Sequence, residues 1–226
     1  MEELAPLYAF NFLGHQIEIT ESIAVQWVII AITFVLALIY SKKIKKVPGK
    51  VQTVIEIGID FLRKTIDENM GPGTSGFIPY IGALGAYLFL LNMVPLFGIE
   101  PPTADMSVTL GVALTSFFVI QAYTIKKHGV GGYFKGYASP VAILLPINIM
   151  ERFMLPISLS LRLFGNIYAA SMIMGLIYDG LMGINFIASI GLPILFHFYF
   201  DIFDGTIQMI IFVMLTMINI KITAEH

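Results

Sequence analysis

The chain has 226 residues, 57% of them hydrophobic and 12% charged, and its mean hydropathy of +0.84 lies well outside the balance of a water-soluble domain. A formal net charge of −2 carries little information and no nucleic-acid partner is expected, while the absence of cysteine excludes disulfides and thiolate sites. The expected architecture is an all-α polytopic membrane protein, a single membrane domain over residues 1–226 with about five membrane-crossing helices and one amphipathic surface helix, with membrane lipid around it.

The N-terminus, Met-Glu-Glu-Leu-Ala-Pro, is acidic and lacks the basic n-region and apolar core of a cleavable signal peptide, so none is expected. A first crossing is predicted over 22–41, where no charge interrupts a run long enough to span about 30 Å of hydrocarbon as helix. Lys42, Lys43, Lys45, Lys46 and Lys50 follow, around a Pro48-Gly49 turn. Over 50–69, apolar Val51, Val54, Ile55, Ile59, Leu62 and Ile66 alternate with Gln52, Glu56, Asp60, Arg63, Lys64 and Asp67 at helical spacing. That pattern predicts an amphipathic helix on the cytoplasmic side, lying in the interface or packed on neighbouring loops.

Crossings are predicted next over 77–98 and 105–126, joined by Glu100-Pro-Pro-Thr-Ala-Asp105, with Thr103 or Asp105 as the cap of the second. The last two helical units, 137–178 and 184–222, are far longer than the roughly 20 residues of a perpendicular crossing. They must tilt, bend, or run partly along the membrane plane, and Pro146, Pro156, Gly165, Gly175, Gly191 and Pro193 are the places to bend. Lys126, Lys127 and Lys221 join the first lysine cluster on one side. By the positive-inside rule that side is cytoplasmic, which puts the N-terminus outside, the C-terminus inside and the number of crossings at an odd value.

Arg162 carries the functional signal. It stands in an otherwise apolar stretch, Pro156-Ile-Ser-Leu-Ser-Leu-Arg-Leu-Phe-Gly-Asn-Ile-Tyr-Ala-Ala-Ser171, and burial cannot neutralise a guanidinium. At bilayer depth it costs from about 2.5 kcal/mol to above 10 kcal/mol, so it must face a partner charge, water or an ion path. At 100° per residue Glu151 falls within about 20° of the same face, three turns earlier. Ser158, Gly165, Asn166 and Ala169 share that face, and their small size lets another helix approach closely.

On the last helix His197, Asp201, Asp204 and Gln208 recur at spacings that line up on one stripe, offering proton acceptors and donors in series as a wet half-channel requires. For His197 alone a satisfied packing role is the stronger reading, and Asp204 is open to bonding a neighbouring hydroxyl. The spacing fits no metal-ligand signature, so neither a metal nor a cofactor is expected. Asn92 reads as interhelical glue, Trp27 as lipid-facing or packed, and the scattered methionines as soft packing.

The run Ser160-Leu-Arg-Leu-Phe-Gly-Asn-Ile-Tyr-Ala169 resembles the signature of subunit a of the F-type ATP synthase. Val47-Pro-Gly-Lys-Val-Gln52, Pro102-Thr-Ala-Asp-Met-Ser-Val-Thr-Leu110 and Gly205-Thr-Ile-Gln-Met-Ile-Ile-Phe-Val-Met-Leu-Thr216 agree in order, so the likeness covers nearly the whole chain. The resemblance implies a stator ion channel in a prokaryotic plasma membrane. Its partners would be a ring of small hairpin subunits (the c-ring) and the b subunits of the peripheral stalk. It also implies that the last two helices form a tilted hairpin against the ring, with two half-channels passing protons or sodium ions to the ring carboxylates. Arg162 would be the essential stator charge and Gln208 the glutamine opposite it, with Glu151, Asn166, Ser171, His197, Asp201 and Asp204 along the ion path. Two positions depart from the commonest bacterial pattern. Ser171 stands where that pattern often has Glu, nine residues after the arginine, and Asp201 where it often has His, seven before the glutamine. The acidic group has thus moved between the two helices, while Ser171, opposite Arg162 on the helical projection, suits an access path.

A secondary transporter or a proton-pumping subunit of a respiratory complex would also use buried charges and bent helices. Inverted repeats or a second intramembrane basic residue would favour that reading, and neither is evident in the sequence. A structural scaffold leaves Arg162, Asp201 and Glu151 without purpose. No phosphate loop, nucleophile elbow or metal motif supports a soluble enzyme, so the chain is not expected to be an enzyme by itself, and ATP chemistry would fall to other subunits.

Overall fold

The computed structural model describes residues 8–12, 15–71, 73–137, 143, 145–182 and 193–225. Five helices are long and apolar enough to cross a membrane: Glu21–Ser41, Ser75–Phe97, Met106–Tyr137, Leu145–Leu181 and Pro193–Thr223. The polytopic helical architecture follows directly from the hydropathy pattern, since a chain in hydrocarbon must satisfy its backbone polar groups within each segment. One addition precedes the first helix: strands β1 (Tyr8–Phe12) and β2 (His15–Ile19) pair antiparallel with Tyr8 opposite Ile19 and Phe12 opposite His15.

Helix α1 (Glu21–Ser41) has neither Gly nor Pro and stops as Lys42-Lys43 begins. It buries no residue and touches the bundle at its edge, where Tyr87 Oη donates to Gln26 Oε1 at 2.8 Å. The connection to α2 (Lys50–Met70) is braced by one side chain. Gln52 Oε1 accepts from Lys45 N at 3.1 Å and Gln52 Nε2 donates to Lys45 O at 2.9 Å, which gives the glutamine of the Val47–Gln52 motif its purpose. Helix α2 is indeed amphipathic. Ile66 and Met70 are buried and α2 packs on α3 (Ile78–Met93) and on the last helix, while Val51, Val54 and Phe61 stay exposed.

Helix α4 (Met106–Tyr137) starts at Asp105, whose Oδ1 accepts from Ser107 N at 2.8 Å. The cap is therefore Asp105; Thr103 is buried instead. Gly129, with φ at 71°, breaks α4 and turns its last two turns back on the bundle, a backbone conformation that costs a glycine little. Helix α5 (Leu145–Met182) has 38 residues with Pro156 inside it, roughly 55 Å of helix against about 30 Å of hydrocarbon. The predicted start of the last unit at 184, and Gly191, lie outside the described residues. From 193 that unit is helical, passes through a π-helical segment at Phe198–Asp204, and continues as α6 (Gly205–Glu225).

The core lies where α2, α3, α4, α5 and α6 meet, with Ile66, Ile81, Leu88, Ile120, Leu163 and Phe212 buried together. Hydroxyls join the helices across it: Thr109 Oγ1 and Ser160 Oγ are 3.1 Å apart and Tyr80 Oη donates to Ser116 Oγ at 2.8 Å. Such bonds between membrane helices contribute about 0.6 to 2 kcal/mol each. Ser160 is fully buried, so the first residue of the arginine run is the one that seats α5 on α4.

Candidate functional site

Helix α5 has two unlike sides. Leu159, Ser160, Leu163, Ile167, Ala170 and Met174 are buried against α4. The other side carries Ser158, Arg162, Gly165, Asn166 and Ala169, all exposed, with Leu161, Met172 and Leu176 beside them. On α6, Ile207, Ile210 and Ile211 are also uncovered. The small-residue face predicted around Arg162 thus exists as an open surface. Glu151 is exposed on the same helix, eleven residues before the arginine.

Two arginines lie within the crossing helix, and their surroundings differ. Arg152 Nη1 donates to Gln121 Oε1 at 3.2 Å, and its guanidinium sits 4.9 Å from the Tyr137 ring centre and 5.8 Å from that of Tyr133. Tyr133 Oη also donates to Gln121 Oε1, at 2.9 Å, and lies 2.7 Å from Tyr137 Oη. This cage exists because Gly129 folds the end of α4 back toward Gln121. The sequence does not announce this cage, since the partners of Arg152 are distant in the chain. Among the described residues Arg162 has no such partner. The ion pairs among the described residues are Lys64 with Glu68 and His197 with Asp201, and Arg162 belongs to neither.

Asn166, one turn after Arg162, donates through Nδ2 to Gln208 Oε1 at 2.8 Å. Gln208 is 2% exposed, and its Nε2 has no partner among the described residues. This contact brings α5 and α6 together beside the arginine.

The stripe predicted on the last helix is split by the π-helical segment, because wider turns change which residues share a face. Asp201 is buried, and its Oδ2 lies 2.6 Å from His197 Nδ1. The other ring nitrogen, Nε2, is 3.0 Å from Tyr178 Oη on α5. Both ring nitrogens of His197 are therefore satisfied by polar partners on the two long helical units. Asp204 is half-buried and makes none of these contacts. A cavity of about 360 Å³ is lined by Asn92, Glu100, Ser171, Tyr178, His197 and Asp201 among others. It stands at the end of the bundle that holds the loop after α3, opposite the end with the Lys42–Lys50 segment. Glu100 and Tyr178 are polar lining residues that periodicity did not single out.

A multi-helix membrane bundle with an arginine on an open face that has no ion-pair partner among the described residues, and a half-buried group of acid, imidazole and phenol lining a cavity, belongs to the class of ion-translocating membrane subunits. The chain is a member of the ATP synthase A chain family, whose model matches residues 23–221. It is 36% identical over 243 residues to ATP synthase subunit a of Staphylococcus saprophyticus, with 100% of each chain covered. The same subunit of Macrococcus caseolyticus is 33% identical over 236 residues, covering 98% of each. A relative from Propionigenium modestum described as sodium ion specific is 30% identical over 237 residues, covering 98% of this chain and 77% of the relative. The chain is thus a multi-pass membrane subunit of an ATP synthase, with an ion-transport role in ATP synthesis.

Proposed function

We propose that this chain is the stator channel of the rotary membrane motor, with Arg162 facing the ion-carrying carboxylates of a rotating c-ring. The observation that carries the reading is the contrast between the two arginines of α5. Arg152 is satisfied inside the chain, whereas Arg162 stands exposed on a face of small residues. A permanent cation at that depth is too costly to leave against lipid, and the face around it admits a helix at close range.

The chemistry follows from the fixed charge. A guanidinium does not give up its proton, so it blocks proton hopping across its own position. It stabilises an unloaded ring carboxylate as that carboxylate passes, by a charge-assisted hydrogen bond. Asn166 and Gln208 hold the two helices beside it at fixed spacing. The cavity at Asp201 serves one half-channel, where Tyr178, His197 and Asp201 form a proton relay ending in a carboxylate. Glu151, on the arginine's side of α5 toward the lysine-rich end, serves the other. Each unit charge crossing the full potential contributes about 2.3 kcal/mol per 100 mV, and the two offset half-channels convert that flow into rotation.

The lysine-rich end is assigned to the cytoplasm, with the N-terminus outside and the Asp201 cavity opening outward. A peripheral-stalk b helix is the further partner we assign to α1, which buries none of its own residues. Catalysis on ATP is assigned to other subunits of the complex. The ring assignment is tested by cross-linking. The chain has no cysteine, and a Cβ at Gly165 meets nothing within 4 Å, so Gly165→Cys is tolerated sterically. A disulfide to a cysteine placed beside the ring carboxylate is expected under oxidation; no cross-link in assembled membranes would contradict the contact.

A further inference from the structure

Helix α1 has 21 residues, about 31 Å of helix, which matches the roughly 30 Å of hydrocarbon it crosses. Lys42 and Lys43 therefore emerge at headgroup depth. Between Lys42 and Lys50 the chain carries five lysines and no acid, and the first carboxylate after Glu21 is Glu56. All five lysines are exposed, and none is in an ion pair among the described residues. The elbow that presents them is held at both ends. Lys42 N donates to Leu38 O at 3.3 Å and Lys43 N to Tyr40 O at 2.9 Å, while Gln52 grips both backbone groups of Lys45. Gln52 Nε2 also donates to Glu56 Oε1 at 2.8 Å, which ties up the nearest carboxylate.

The first turns of α2 continue this surface. At 100° per residue Val51, Val54, Ile57 and Phe61 fall within a sector of about 120°, centred about 150° from the buried Gln52, Ile66 and Met70. The four are 63% to 72% exposed, and Lys50 falls in their sector. The stripe ends where Glu68, in the same sector, pairs with Lys64 at 3.9 Å. Helix α2 thus has a face packed on the bundle, an acidic face with Glu56, Asp60 and Asp67, and a third, apolar and uncovered, beside the lysines. A helix that only packs on the bundle and faces water needs one apolar stripe.

We propose that the elbow between α1 and α2 is a binding surface for anionic phospholipid, with the lysines of 42–50 on the headgroup phosphates and Val51, Val54, Ile57 and Phe61 among the upper acyl chains. Charge complementarity selects this occupant, since a polybasic segment directly beside a crossing helix attracts anionic lipid. The apolar stripe completes the match, because a helix in the interface plane seats such a stripe at the acyl boundary. Lipid held there fixes the depth of α2, whose other side carries Ile66 and Met70 into the core beside α3 and α6. The assignment does not depend on the channel reading.

The test labels Ile57→Cys with an environment-sensitive fluorophore in a complete complex otherwise free of reactive cysteine, a background this chain already provides. The complex is reconstituted in vesicles of phosphatidylcholine and phosphatidylglycerol, with bromine on the acyl chains of one lipid or the other. Brominated phosphatidylglycerol should quench more strongly at equal content, with a relative lipid-exchange constant of about fivefold, the factor equivalent to about 1 kcal/mol for one engaged lysine. Combining Lys42→Gln, Lys43→Gln, Lys45→Gln and Lys46→Gln should bring that ratio to one while both lipids still quench. Where the combined variant fails to assemble, high salt on the parental elbow answers the same question, because screening of exposed charges should lower the ratio. Equal quenching by the two lipids in the parent leaves an ordinary lipid-facing stripe and overturns the proposal. Quenching by neither lipid means that a protein partner covers the face, which also overturns it. A preference that survives the substitutions or the salt removes the lysines as its source, and the proposal falls.

Discussion

Asn166 on α5 and Gln208 on α6 are joined by a 2.8 Å hydrogen bond, one helical turn from Arg162. The bond reaches between an exposed residue and one that is 2% exposed, so it marks the line where the open face of the bundle meets its interior. The two longest helical units of the chain are held at that point beside the residue that carries the fixed charge.

Asn166→Leu leaves Gln208 buried with both ends of its amide unmet, a change worth about 1 to 3 kcal/mol. The intact complex should dissociate at a lower temperature in detergent. Gln208→Leu should be milder because it removes the orphan Nε2 as well. A double-mutant cycle between the two should return a coupling of about 0.5 kcal/mol or more; strict additivity would mean that the bond contributes nothing.

Asp201→Asn should slow coupled ion transport by at least about tenfold, because the relay from Tyr178 through His197 loses its terminal carboxylate. Asp204→Asn should have a smaller effect, since Asp204 stands outside the His197 and Tyr178 contacts. ATP-driven pumping in vesicles compares them directly, and parental rates in both variants would remove the half-channel from this cavity.

Gly205→Ala places a methyl group 3.1 Å from Asn92 Cβ and 3.7 Å from its backbone oxygen. Overpacking of this kind is unfavourable by about 1 to 3 kcal/mol, and here it pushes on the turn that aims Asp201. Lower thermal stability together with slower pumping is expected. Full stability would show that α3 yields freely at that contact.

Arg152→Gln should lower the stability of the complex by about 1 kcal/mol, through loss of the contacts to Gln121 and the two tyrosine rings. Pumping per assembled complex should persist, because the guanidinium of Arg152 is turned inward. Loss of pumping in assembled complexes would give the second arginine a part in transport and weaken the contrast on which the role of Arg162 stands.

Arg162 was legible from sequence because a lone charge in an apolar run has no local explanation, and the small residues at helical spacing around it located its open face. The crossings were legible for the same reason, as uncharged runs of membrane length. The cage around Arg152 was not, because it depends on Gly129 folding Tyr133 and Tyr137 back toward Gln121. Nor was the pairing of His197 with Asp201 apart from Asp204, which follows from a π-helical turn that a uniform 3.6-residue period hides. Asn92 was legible as interhelical glue, and its bond to Gly205 O joins α3 to α6 as that reading requires. The hairpin of Tyr8–Phe12 and His15–Ile19 was not legible, because two five-residue strands carry far less pattern than the long apolar runs that follow.

The most direct test of the account is Arg162→Ala in vesicles carrying the complete complex, with ATP-driven pumping and passive ion leak recorded together and assembly checked. The account predicts that pumping vanishes while the complex stays assembled and passive ion movement through the membrane sector persists or rises, because nothing then separates the two half-channels. Pumping at the parental rate would contradict it, and would reduce Arg162 to a structural residue.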